Sequence, residues 1–161
     1  MIVKPCHPKP KGTAVPTDAS TYLDRPTSCA RATWLLSLKP GLDQPVKWAR
    51  EHVQAACEQW QMAGDDLVLV MVELLTNAYT HARLTPGKRV LVRIHWRKHV
   101  NEMVLEVVVP QPRFELPEPA EPDPDAESGR GLAMVRSLTR AFSCKEHIPG
   151  LQTFTAILAA A

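Results

Sequence analysis

The sequence predicts an α/β fold, a two-layer sandwich in which a mixed, mostly antiparallel sheet carries three helices on one face. Three observations point there. Two consecutive segments repeat apolar residues at helical spacing, and period-two segments follow on both sides of a proline-rich break. The longest apolar run, residues 67–75, is interrupted by Glu73 and is far shorter than the roughly 18 residues a membrane span needs. The 161 residues are 45% hydrophobic and 22% charged, with a net charge of +2. That balance suits one domain with spare chain, and it excludes both a chain disordered throughout and a general polyanion binder.

Residues 1–30 carry five prolines and few large apolar side chains. Such a composition cannot bury enough surface to offset ordering entropy, so the segment reads as a disordered or loosely docked tail. The start has no apolar stretch of signal-peptide kind, and the four cysteines show no CxxC or zinc-ligand spacing. A cytoplasmic chain with unpaired thiols is expected.

The folded domain is expected over residues 31–161. Residues 33–38 read as a strand stopped by Lys39-Pro40-Gly41. Asp43 is the expected N-cap of a first helix, with Pro45 in its first turn and Val46, Ala49, Val53, Ala56 and Trp60 at helical spacing as far as Gly64. Asp65 is expected to cap a second helix whose Leu67, Val70, Met71, Leu74, Leu75 and Ala78 spread over more than one face, so that it lies largely buried. Past Pro86-Gly87, residues 89–96 alternate strictly; a turn around 99–101 leads to a second alternating stretch over 103–109, and the two form an antiparallel hairpin.

Residues 110–124 hold six prolines, and residues 115–127 hold six acidic side chains and no basic one. This is an exposed loop, expected over about 110–128 and too long for a mere connection. Ser128-Gly129-Arg130-Gly131 then opens a third helix with Leu132, Val135, Leu138 and Phe142 on one stripe, and residues 141–158 close the fold as a hairpin around Pro149-Gly150.

Two constellations carry chemistry. In the second helix Glu73, Asn77 and His81 stand at i, i+4 and i+8, which aligns three polar groups along one face. A carboxylate amid such apolar density is costly unless it lines a cavity, pairs with a cation or meets water. Gly129-Arg130-Gly131-Leu132 opens a helix, where glycines let a phosphate approach and the unpaired first-turn amides favour an anion.

Taken together, Glu73-Leu74-Leu75-Thr76-Asn77-Ala78-Tyr79-Thr80-His81-Ala82 resembles the N box of the GHKL, or Bergerat-fold, ATPases, and Ser128-Gly129-Arg130-Gly131-Leu132-Ala133-Met134-Val135 resembles their second glycine box. Gly150-Leu151-Gln152-Thr153 is similar to the late Gly/Thr motif. Within that superfamily the chain most resembles the small anti-sigma-factor serine kinases and their actinobacterial relatives. The resemblance implies ATP and Mg2+ as cofactors, with Asn77 in the metal shell and Glu73 as general base for the attacking hydroxyl. It implies that Gly129 and Gly131, with Arg130 and Leu132 beside them, close on the phosphates beneath the 110–128 lid, that Thr153 hydrogen-bonds in the adenine pocket, and that His81 plays a structural or supporting part. It also implies protein partners, a sigma factor or an anti-sigma-factor antagonist, with no direct nucleic acid and no membrane; a homodimer stays open.

The pattern departs from the family at one place. Where the family places an Asp that accepts the adenine amino group, this chain has Val109, followed by Pro110-Gln111-Pro112-Arg113. Adenine selectivity is therefore expected to fall. Two readings follow: a regulatory ATP-dependent serine/threonine kinase, or a non-catalytic interaction module that keeps the fold. A nucleic-acid binder using Arg89, Arg93, Arg97 and Lys98 with Trp96 is disfavoured, because that interleaving of basic and aromatic residues is too short.

Overall fold

The alternating segments pair into one six-stranded sheet in the computed structural model, which describes residues 20–24, 31–39, 43–82, 84–111 and 130–160. In chain order the elements are β1 (Ser20–Asp24), β2 (Arg31–Leu38), α1 (Pro45–Trp60), α2 (Asp65–His81), β3 (Val90–Arg97), β4 (Glu102–Val109), α3 (Arg130–Leu138), β5 (Ala141–Ile148) and β6 (Leu151–Ala159). The spatial order is β1-β2-β3-β4-β6-β5. The expected two-layer α/β sandwich with three helices is present, with two corrections to the sheet.

Every ladder is antiparallel, where a mixed, mostly antiparallel sheet is expected. The helix pair α1–α2 returns the chain so that β3 runs back along β2, and β6 lies between β4 and β5, so that these two strands, which point the same way, do not pair with each other. The second correction is β1, which pairs Ser20 to Ser37 through Asp24 to Thr33 inside the segment assigned to the tail. Averaging composition over thirty residues hides Ser20-Thr21-Tyr22-Leu23, a run with good strand propensity. The rest of that tail, residues 1–19 and 25–30, lies outside the described residues.

The helix starts also differ by a residue. Gln44, at φ 50°, precedes α1 in place of Asp43, and its carbonyl accepts from Trp48 N–H at 3.1 Å while Pro45 supplies a preset helical φ. Gly64 is the N-cap of α2, so Asp65 and Asp66 sit inside the first turn, where their charge complements the helix dipole. Phe142, expected on the stripe of the third helix, belongs to β5 because α3 stops at Leu138.

Side-chain parity sets the core. Val92, Ile94, Met103, Leu105, Val107 and Val109 share the helix-side face with Phe154, Ala156 and Leu158, and close against Met71, Leu74 and Leu75 of α2. On the other face, Glu106 takes Arg93 at 2.6 Å and His95 at 3.1 Å, while Glu102 takes Arg97 at 3.7 Å and Arg140 at 3.4 Å. The basic strand is thus matched by carboxylates across β3 and β4. Trp96 lies on the opposite face from these arginines, against Trp60 at 6.4 Å, with Lys98 Nζ 4.5 Å over its ring, so Arg93 and Arg97 are separated from the aromatic group that a nucleic-acid surface would need beside them. No described helix is long and apolar enough to cross a membrane.

Two groups, the buried Cys57 and the half-buried Tyr79, couple this core to pH. Burial, aided by Asp65 and Glu58, pushes the Cys57 thiol up from 9.0 to about 11, and burial pushes the Tyr79 phenol up from 10.0 to about 12. The folded chain keeps protons that the unfolded chain releases at the ordinary values. Their contribution to stability is therefore complete below about pH 9 and is lost as pH rises toward 12. Chemical denaturation across this range should show stability falling from about pH 9 upward, with Cys57→Ala flattening the first part of the decline; a flat wild-type profile would contradict the burial of both groups.

Candidate functional site

The periodicity of α2 places Leu74 and Ala78 in the apolar wall and turns Glu73, Asn77 and His81 along its neighbouring face. These five residues line a cavity of about 440 Å³ together with Gln111, Gly131, Leu132 and Phe154. Apolar side chains and a few polar groups share the lining, which is the composition of a small-molecule site.

Glu73 and Asn77 are both half-buried, and Asn77 Nδ2 donates to Glu73 Oε1 at 2.9 Å. This bond fixes the amide, so that Asn77 Oδ1 remains as an acceptor. Opposite them, the first turn of α3 comes so near that a Cβ added at Gly131 would lie 1.7 Å from Glu73 Oε1 and 2.9 Å from Glu73 Cγ. Only glycine allows that approach. The two separate constellations of the sequence are therefore one site.

A family model of the histidine kinase-like ATPase domain matches residues 41–153. The chain belongs to that family. No curated protein matches it. The match runs from just before α1 into β6 and so takes in α2 and the start of α3, the two elements that face each other across the cavity.

Within this ATPase-family domain, the expected site residues distribute as follows. Glu73, Asn77, Gly131 and Leu132 line the cavity together; His81, exposed at the end of α2, lines it as well. Arg130 is exposed at the start of α3. Gly129 and residues 112–128 of the expected lid lie outside the described residues. Val109 is fully buried in the core and is not part of the lining.

The expectation for Thr153 is corrected. Thr153 pairs with Val108 and Lys145, on the sheet face turned away from the helices, whereas its neighbours Gln152 and Phe154 face the helices. A one-residue slip in reading a strand turns every side chain to the wrong face. Phe154 and Gln111 are cavity residues that the motif reading missed. The alternation Gln152, Phe154, Ala156, Leu158 is the signal that finds the first of them.

The donor set bears on the implied cofactors. Among the described residues no group of three or more His, Cys, Asp or Glu forms a metal site on its own. What the cavity offers is a carboxylate and a fixed amide oxygen, a sparse oxygen set that fits Mg2+, which retains waters and takes further oxygens from phosphates. The residues present thus fit magnesium that arrives with a nucleotide.

Proposed function

We propose that the domain binds a magnesium–nucleoside triphosphate in the cavity between α2 and α3 and acts as a regulatory serine/threonine protein kinase of the anti-sigma-factor kind. The observation that carries this reading is the Glu73–Asn77 pair, joined at 2.9 Å and facing the glycine-opened N-terminal turn of α3.

Each group has a part in the proposed reaction. Asn77, whose amide N–H donates to Glu73, would hold magnesium through its amide oxygen, and the ion would supply neutralising charge to the phosphates. Glu73 accepts the proton of a serine hydroxyl on a partner protein, the serine oxygen bonds to the γ-phosphorus, and the bond to the β–γ bridging oxygen breaks, leaving the nucleoside diphosphate. The first-turn amides of α3 face the phosphates, and Gly131 gives them room. The proposed partners are a sigma factor or its anti-sigma antagonist. A second reading, a binding module without turnover, is favoured by one observation: Val109 is apolar and fully buried at the strand position where the family carries its adenine acceptor.

Calorimetric titration with magnesium–ATP tests the site. Binding is expected for the wild type, weakened by about tenfold or more in Asn77→Ala and when magnesium is withheld. Absence of binding, or binding indifferent to both changes, overturns the assignment. Release of ADP with a labelled serine on the antagonist supports the kinase reading; nucleotide binding with no turnover in the presence of partner supports the module.

A further inference from the structure

Of the polar residues that line the cavity, Glu73 and Asn77 serve the phosphate chemistry proposed above, whereas Gln111 and His81 have no part in it. Gln111 owes its place to a turn. Pro110, with its φ preset, follows the fully buried Val109, and Gln111 N–H donates back to Val109 O at 3.0 Å, closing a three-residue turn that carries the chain off β4. That N–H is spent inside the turn. The side-chain amide is therefore the donor that Gln111 can offer a ligand.

The helices fix which end of the cavity this is. Trp60, at the end of α1, packs on Trp96 near the end of β3, so α2, starting at Asp65, runs over the sheet from there toward the end where Leu91 pairs with Val108. Tyr79 O–H, in the last turn of α2, donates to Lys39 O at 3.3 Å, just past the end of β2, which sets that turn over the same end of the sheet. Gln111 thus stands toward Ala78 and His81, while Gly131 meets Glu73 earlier on the helix. Ala78, Leu132 and Phe154 supply apolar wall, against which a flat aromatic group needs polar partners only at its edge. His81 is exposed, where water competes for its bonds; Gln111 is half-buried.

We infer that the Gln111 amide pairs with the edge of the nucleotide base, and that the site takes adenine and six-oxopurine triphosphates alike. The inference rests on the nucleotide reading above and names its substrate class. Both bases present one donor and one acceptor at ring positions six and one, in opposite order: adenine an amino group and a bare nitrogen, hypoxanthine a carbonyl and an N–H. A primary amide carries the same pair, and half a turn about its terminal torsion exchanges them. Gln111 makes two hydrogen bonds with either base, whichever way its amide is turned in the empty cavity. Val109, shut in the core, takes no part.

The test is calorimetry on the full chain with the magnesium complexes of ATP, ITP and purine riboside triphosphate, which lacks the six-amino group and keeps the bare ring nitrogen. For the wild type, ATP and ITP are expected to differ by less than about fivefold, and purine riboside triphosphate to bind about fivefold or more below ATP. In Gln111→Leu, ATP and ITP are expected to weaken by about tenfold and to fall level with purine riboside triphosphate. Asn77→Ala is expected to weaken all three and leave their ratios unchanged. A wider gap between ATP and ITP, purine riboside triphosphate equal to ATP in the wild type, or wild-type ratios retained in a folded Gln111→Leu each overturn the inference and leave the nucleotide site standing. Failure of every nucleotide to bind overturns both. If Gln111→Leu does not fold, the three wild-type affinities decide.

Discussion

Gly131→Ala should cost the site its ligand while leaving the fold intact. The new methyl would lie 1.7 Å from Glu73 Oε1 and 2.2 Å from its carboxyl carbon, so the carboxylate must swing away and take with it the acceptor that fixes Asn77. Because Gly131 lies within α3, alanine there gains about 0.5–1 kcal/mol of helix propensity. The expected result is a melting temperature equal to or above that of the wild type, together with a loss of magnesium–nucleotide affinity of about tenfold or more. Wild-type affinity in a folded Gly131→Ala protein would mean that the Glu73–α3 approach has no bearing on binding.

Leu75→Ala should damage the fold severely. Leu75 is fully buried at the centre of α2. Removing three carbons there loses their transfer free energy and leaves a cavity, a cost of about 2–5 kcal/mol against a total stability of about 5–15 kcal/mol. Leu69 on the same helix is 49% exposed, and Leu69→Ala should change stability by less than about 0.5 kcal/mol. Denaturant titration of the pair checks the orientation of α2, since similar losses at both positions would contradict it.

Much of this was legible in the sequence, for physical reasons that also mark where legibility ended. The 3.6-residue repeats of α1 and α2 and the alternation of β3, followed less strictly in β4, report burial of one face, which is a local property of the chain. The Glu73–Asn77 spacing, one helical turn, was legible for the same reason. The contact between Glu73 and Gly131 was not, because it joins residues 58 positions apart and depends on how α3 packs against α2. The strand β1 was hidden by the prolines around it. Thr153 was misplaced because a motif was matched by residue type, whereas the pleat of β6 assigns Gln152 and Phe154 to the helices and Thr153 to the opposite face. The all-antiparallel sheet follows from the insertion of β6 between β4 and β5, and insertion is a property of topology that no local pattern encodes.

That insertion has a consequence for biosynthesis. Until the ribosome has delivered residues 151–159, β4 has an open edge, β5 has no neighbour, and the cavity lacks the Phe154 wall. The Asn101 turn is likewise unfastened until Ala160 arrives to accept from its side chain at 2.6 Å and to donate to its carbonyl at 2.9 Å. A nascent chain halted before β6 would therefore expose the apolar row of β4 as an unpaired strand, a template for aggregation, and ligand could protect it only after the sheet had closed.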